Sequence, residues 1–411
     1  MFFLYNFIVN LASIFLKVIA LFSPKIKLFV DGRKTVFETL NSKINPKTDK
    51  TIWFHAASLG EYEQGLPVME AIKTKFSEYK IVLTFFSPSG FEVRKNNLVA
   101  DVTVYLPLDS AQNARRFIDA INPEMVFFIK YEFWPNYLKV LQSRNIKTYL
   151  ISGIFRKDQM FFKWYGGFYR NALQAFDYFF VQNDSSKKLL QQIGFQNIKV
   201  SGDTRFDRVV SILEKDNRLG FMDDFVEPSK TTVVAGSTWP KDESLLIDFI
   251  NKSHHQLKFV IAPHNIKTAD ILILKSLIHT KVVLWSERAN KNLSEFDVMI
   301  VNTIGLLTKI YSYANVAYVG GGFGNPGVHN ILEPATFGIP IVIGPNYSHF
   351  AEATALVNLG GCLSISNTEQ LTDVFDSLVQ NQDERQEKGH VCGTFVKMNI
   401  GATKVILDHF L

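Results

Sequence analysis

The sequence predicts an α/β protein built from two doubly wound domains behind an apolar N-terminal helix. Two observations carry the domain reading. Short apolar runs alternate with amphipathic segments, the pattern of a parallel sheet covered by helices on both faces. That rhythm breaks once, in a charged stretch over 208–230, and restarts at Thr231. The chain has 411 residues, 47% of them apolar, enough for two to three domains of ~100–200 residues each.

Residues 1–22 are almost wholly apolar. Their polar exceptions Asn6, Asn10, Ser13 and Lys17 fall on one narrow helical stripe. A secretory signal would need a basic start and a small-residue cleavage site, and neither is present. The length permits a membrane span, whereas the polar stripe favours a helix lying in the membrane interface. Lys25, Lys27, Arg33 and Lys34 follow it, which the positive-inside rule reads as cytoplasmic.

Strands are predicted at 52–57, 81–86, 102–106, 125–131, 148–152, 178–182 and 199–201, with helices between them, for example over 62–76 and 110–121. A first α/β domain is thus expected over 23–215, the acceptor domain if the resemblance given below holds, and a linker over 216–230. A nucleotide-binding domain follows over 231–411, with strands at 232–235, 258–262, 282–285, 298–301, 316–320 and 339–343. Helical patterns over 368–380 and from Asp383 close the chain. In such domains ligands bind at the carboxyl ends of the strands.

The net charge of +5 suits an anionic substrate or membrane surface, and no basic run supports nucleic acid. Two cysteines, Cys362 and Cys392, stand in no metal-ligand spacing, which fits a reducing compartment. With no HExxH, DxD or P-loop pattern, metal-dependent chemistry and NTP hydrolysis are disfavoured.

Four constellations can carry chemistry. The first is Trp53 to Glu61, a strand, a small-residue turn and a helix start. Glu61 there is a candidate general base, with Ser58 and Gly60 shaping the turn; charge complementarity at a helix N-terminus is the plainer alternative. The second, Lys130 to Asn136, places Glu132 at another strand end, where it binds a sugar hydroxyl, orients Glu61, or pairs with Lys130. The third is Gly236-Ser237-Thr238, a turn able to present N–H groups to phosphate or simply to cap a helix, with His264 on a neighbouring strand end. The fourth and most informative runs from Gly320 to Ala353. Five glycines precede a helix start expected at His329-Asn330, and Glu333 follows in its first turn, placed to accept hydrogen bonds from a ribose. This is the layout expected of a nucleotide-sugar site, with a Gly-rich βα loop of some other doubly wound domain as the plainer alternative. Two further features are the aromatic and basic segment 155–170, suited to a lipid surface or to a core helix, and Arg205, a candidate phosphate or carboxylate ligand.

The motifs HAASLGE, YEFWPN, SGDTRFD, AGSTWPKDE and GVHNILEPATFGIPIVIGPNYSHFAEA, in that order along nearly the whole chain, resemble the 3-deoxy-D-manno-octulosonic acid (Kdo) transferase family. The resemblance implies a GT-B fold, two Rossmann-like domains facing across a cleft, and membrane association. It implies Kdo transfer from CMP-Kdo to the 6′-hydroxyl of a lipid A precursor, without metal or other cofactor. It makes Glu61 the catalytic base, gives Glu132 a substrate role, and places Gly236, Ser237, Thr238, His329, Asn330 and Glu333 around CMP. The protein would then sit on the cytoplasmic face of the inner membrane. Alternatives are another GT-B nucleotide-sugar enzyme, an epimerase, or a non-catalytic nucleotide-sugar-binding membrane protein. Three positions depart from the family: His264-Asn265 follows Ala-Pro directly, Asp203 and Arg205 stand where asparagine and lysine are common, and 302–307 lacks its usual acids.

Overall fold

The computed structural model describes residues 1–410. The chain forms two compact units, one of residues 1–208 joined by those from Ile400 onward, the other of Val209–Asn399. The first holds a seven-stranded sheet: β1 (Thr51–Ala56), β2 (Lys80–Phe85), β3 (Val102–Tyr105), β4 (Pro123–Ile129), β5 (Lys147–Gly153), β6 (Tyr178–Val181) and β7 (Ile198–Val200). All neighbours pair in parallel, in the order β3-β2-β1-β4-β5-β6-β7. Alternation along each strand feeds two cores. Trp53, Val126 and Phe128 enter one; Ile52, Phe54, Phe127 and Ile129 enter the other. Trp53 packs against Phe117, Phe128 and Tyr137 with ring centroids 5.0–5.7 Å apart. Burying one such side chain contributes roughly 1.5–3 kcal/mol, which is why the strands read as continuous apolar runs.

The second unit repeats the plan with β8 (Thr231–Thr238), β9 (Leu257–Pro263), β10 (Val282–Leu284), β11 (Val298–Ile300), β12 (Val316–Val319), β13 (Ile341–Ile343) and β14 (Cys362–Ser364). Its order is β10-β11-β9-β8-β12-β13-β14. In each sheet the strand order turns at one place, between β1 and β4 and between β8 and β12. Crossovers leave in opposite directions there, so a crevice opens at the carboxyl ends of that pair.

Three local features differ from the sequence reading. The stretch expected to be irregular contains a helix, Gly220–Phe225, whose Met222 and Phe225 are buried. It is followed by Glu227, whose carboxylate pairs with the buried Lys258 Nζ at 2.9 Å. The last helix, Ala402–Leu407, packs Ile406 into a core of the first unit. There the Asp207 carboxylate accepts from Gly401 N and Thr403 N at its start, both at 2.6 Å.

The N-terminal helix Phe2–Ile19 is the one described helix long and apolar enough to cross a membrane. It docks on the first unit by its more polar side. Tyr5 donates to Asp109 at 2.8 Å, Asn6 Oδ1 accepts from Ala111 N at 3.0 Å, and the rings of Phe2 and Phe168 meet edge-on. The predicted stripe is thereby split: Asn6 and Ser13 are half-buried, Asn10 and Lys17 exposed. Phe3, Phe7, Ile14, Phe15 and Phe22 point outward, Phe3 at 87% exposure. An exposed apolar face this large marks an interaction surface, for a protein partner or for a membrane.

Candidate active site

At the first crevice, β1 ends in Ala56 and the helix Leu59–Lys75 begins after two intervening residues. Glu61 sits in that helix's first turn at 7% exposure. The spacing Ser58-x-x-Glu61 matches a capping box, in which the serine oxygen would accept from the backbone. Here Ser58 Oγ instead donates to Glu61 Oε2 and makes no cap. Lys130 Nζ lies 3.9 Å from the other oxygen, Oε1. The carboxylate is thus held by a hydroxyl on one side and faced by a cation on the other. Gly60 is exposed, with open space where a side chain would stand, so it clears the turn rather than relieving a clash.

Lys130 follows β4 and adopts φ 72°, left-handed backbone that costs a non-glycine residue about 1–3 kcal/mol. The turn aims the next residues back across β1. Glu132 Oε2 lies 3.6 Å from His55 Nε2, and Trp134 Nε1 donates to the same nitrogen at 2.9 Å. An indole N–H can only donate, so His55 Nε2 carries the lone pair and the proton sits on Nδ1. That proton goes to Thr84 Oγ1 at 2.8 Å, which also accepts from Trp53 Nε1 at 2.8 Å and donates to Phe54 O. Every polar atom of this buried chain is satisfied. Glu132 therefore contacts His55, and the cation that the sequence offered to it faces Glu61 instead.

Asp109, in the loop after β3, accepts from Tyr5 OH and from the backbone N–H of Asn136 and Tyr137, both at 3.1 Å. It ties the N-terminal helix to the loop that carries Glu132. Burial outweighs these hydrogen bonds and pushes its carboxyl up to about 6. Arg205 lies in the first unit, with its guanidinium bound by Nε and Nη2 to Asp203 Oδ2 at 2.8 and 2.7 Å. Gln64, one turn beyond Glu61, reaches the other Asp203 oxygen at 3.4 Å. Where the family's usual residues are exchanged, the new pair binds itself.

In the second crevice, Ser237 takes φ 54° near the end of β8. Ser237 and Thr238 still belong to the strand, and the following helix, Pro240–Lys252, is capped through Trp239, whose N–H donates to Asp242 at 2.9 Å. Thr238 donates to Glu243 at 3.0 Å. Buried Asp242 also accepts from Gly321 N at 3.0 Å and Tyr318 OH at 2.8 Å, so one carboxylate fixes the loops after β8 and β12 together. Glycine is required where those loops touch: a Cβ on Gly236 would lie 2.1 Å from Tyr311 OH, and one on Gly322 2.7 Å from the Gly344 backbone.

Above these loops the rings of Trp239, His264 and His329 stack, His264 at 4.6 Å from each neighbour. Trp239 Nε1 donates to His329 Nε2 at 2.9 Å. Burial lowers both histidines below their ordinary range, and each histidine's presence near the other adds to it for His329. Both rings are therefore neutral π surfaces at pH 7, suited to a base or sugar face. The expected helix starts at Leu332 rather than His329-Asn330 and spans only Leu332–Thr336. Asn330 Nδ2 holds Glu333 Oε1 at 3.0 Å, and Thr308 donates to its Oε2 at 2.7 Å. Among the described residues no group of three His, Cys, Asp or Glu side chains is placed to hold a metal ion. His55, Trp134, Asp109, Trp239 and Asp242 receive no role from sequence, and Lys130, offered there as a partner of Glu132, faces Glu61. The available signal was a polar residue inside an apolar strand, as at His55, and the shared Trp-Pro that starts each following helix.

Comparison with known proteins agrees with this plan. Residues 33–208 match the family model described as 3-deoxy-D-manno-octulosonic-acid transferase. The enzyme of that name from Chlamydophila psittaci is 27% identical over 93% of this chain and 90% of its own length. That from Aquifex aeolicus is 28% identical over 72% of this chain and 76% of its own. In solved structures the fold recurs in the UDP-GlcNAc 2-epimerase of Neisseria meningitidis (TM-score 0.60, 14% identity, 87% of this chain and 98% of that one). It recurs also in MurG of Acinetobacter baumannii (TM-score 0.55, 12% identity, 88% and 99%). At such identities the likeness shows the fold alone.

Proposed function

Starting from a glycosyltransferase that carries the Kdo transferase family's domain, we propose that this chain transfers Kdo from CMP-Kdo to the 6′-hydroxyl of a lipid A precursor, with inversion and without metal. The observation that carries the reading is the buried Glu61, held by Ser58 and faced by Lys130 at the carboxyl end of β1, inside the segment matched to the family. Glu61 takes the proton of the acceptor hydroxyl as its oxygen attacks the anomeric carbon. The bond from that carbon to the phosphate oxygen breaks, and CMP leaves with the electron pair. Ser58, Gly60, Glu132 and Arg205 are assigned to the sugar and acceptor.

Gly236, Ser237, Thr238, His264, His329, Asn330 and Glu333 are assigned to the nucleotide, with Glu333 towards the ribose. Backbone N–H groups of the glycine-rich loops offset the charge that develops on the leaving phosphate. The apolar face of the N-terminal helix supports membrane association, and the lysines and arginine that follow it support the cytoplasmic face of the inner membrane.

The test is Kdo transfer from CMP-Kdo generated in situ to a tetra-acylated lipid A precursor, with no divalent metal in the transfer step. Transfer by wild type, lost in a folded Glu61→Gln protein, supports reaction and base together. Transfer that survives the substitution removes Glu61 as base. No transfer by a folded, CMP-binding wild type removes the donor and acceptor.

A further inference from the structure

A groove of about 210 Å3 lies between the N-terminal helix, the helix Pro24–Asp31 and the body of the first unit. Leu16, Phe29, Val30 and Phe37 supply apolar walls, and Lys17, Arg33 and Lys34 also line it. No residue of either strand-end site contributes.

Arg33 is the unusual member. Its guanidinium packs on Phe29 at 3.6 Å and donates to the carbonyls of Leu106, Phe29 and Phe86 at 2.7–2.9 Å. No carboxylate among the described residues pairs with it, and burial pulls it down to about 10. Arg33 is half-buried, and the cost of a partly desolvated cation without a counter-ion is offset when an anion is brought to it. Three cations and no acid line the groove, and Lys34 is also paired with Asp31 at 2.7 Å. An apolar trough with an excess of positive charge matches one chemistry, an anion on an alkyl chain. The trough also opens beside the outward apolar face of the first helix, where the surrounding medium would be lipid.

We propose that this groove binds one anionic phospholipid of the membrane, its phosphate among Lys17, Arg33 and Lys34 and an acyl chain along Leu16, Phe29 and Phe37. The bound lipid ties the N-terminal helix to the first unit at its far end, as Tyr5 and Asp109 tie it at the near end. It touches the enzyme's chemistry only through packing, since Phe86, whose carbonyl Arg33 holds, stacks 4.6 Å from Trp134.

The test is native mass spectrometry of the full chain in mild detergent, with phosphatidylglycerol and phosphatidylcholine supplied at equal mole fraction. One phosphatidylglycerol should remain per chain, and phosphatidylcholine should not. Lys17→Glu with Lys34→Glu, both on exposed side chains, should cut retention about tenfold or more. Val30→Trp, which fills the trough without changing charge, should also abolish it. Phe7→Ser with Phe15→Ser, on the outward face, should weaken vesicle binding and leave the retained lipid in place. Absence of a retained lipid, equal retention of both lipids, or retention indifferent to the lysine reversal would overturn the proposal. So would a groove that holds the acceptor glycolipid but no phospholipid.

Discussion

At the ends of β1 and β4, side chains hold side chains: Ser58 and Lys130 on Glu61, Trp134 and Thr84 on His55. At the ends of β8, β12 and β13, backbone lies on backbone at Gly320, Gly322 and Gly344, while Gly236 makes room for the Tyr311 side chain. The first site is a set of charges and dipoles whose geometry survives an isosteric change. The second is a surface of N–H groups and rings whose geometry survives only without Cβ atoms. One is suited to moving a proton, the other to receiving a phosphate and a flat ring, although both occupy the turning point of the same kind of sheet.

Glu61→Gln should separate the two most sharply. The amide keeps size and can accept from Ser58, so folding and CMP binding by the intact second unit should persist. Turnover should fall by roughly 10²–10⁴-fold, the usual contribution of a general base. Transfer kinetics beside calorimetric CMP titration check it; equal loss of both would mean that the sites are not distinct in kind.

Titration should distinguish them by sign. The folded first unit binds a proton on Asp109 up to about pH 6, whereas in the unfolded chain that carboxyl ionises near 3.8. Between those values the folded state holds more protons, so stability falls as pH rises; the loss is complete above pH 6 and amounts to about 3 kcal/mol. His264 and His329 are shifted the other way, so the stability they contribute is present above the ordinary histidine range and is lost on acidification. Asp109→Asn keeps one acceptor oxygen for one of the two backbone N–H groups and cannot titrate, so it should lower stability and flatten the slope between about pH 4 and 6. Denaturant unfolding across that window is the measurement. An unchanged slope would mean that another group carries the titration.

Gly322→Ala probes the backbone site. The new Cβ would stand 2.7 Å from the backbone of Gly344, where no side chain can swing aside. Overpacking of this kind costs typically 1–3 kcal/mol. Nucleotide affinity should fall with stability, while Glu61 and its partners are untouched. Gly60→Ala in the first unit meets only Ser58 Oγ at 3.8 Å and should leave the stability of the fold unchanged.

What could be read from sequence follows the same division. Strands buried on both faces announce themselves as apolar runs, so thirteen were placed to within a few residues. β14 was missed because three residues behind Gly360-Gly361, at a sheet edge, carry too little pattern. The helix Gly220–Phe225 hid among charges because only Met222 and Phe225 are buried. That the helix Ala402–Leu407 joins the first unit depends on Asp207, nearly two hundred residues away, and no local pattern records it. The glycines and the carboxylates stood out by residue type. Their partners did not, because Thr84 and Trp239 acquire meaning, and Lys130 its true partner, only once strands distant in sequence lie side by side.

The closest match between the two sites gives the smallest and most discriminating prediction. Each has a tryptophan, just before a helix-starting proline, whose indole donates to a histidine Nε2 at 2.9 Å. Replacing either with phenylalanine keeps the ring and deletes one hydrogen bond, for about 0.5–1.5 kcal/mol. The consequences should then diverge, because the surroundings differ. In Trp134→Phe the freed His55 Nε2 faces Glu132 Oε2 at 3.6 Å, so the ring proton can move to Nε2 and donate to that carboxylate, leaving Nδ1 to accept from Thr84. In Trp239→Phe the freed His329 faces the stacked His264, whose charge would oppose its own, and should stay neutral. Histidine ring NMR reads the difference directly, as a switched tautomer at His55 in one variant and an unchanged His329 in the other. If both histidines respond alike, the carboxylate opposite His55 is not what sets the first site apart.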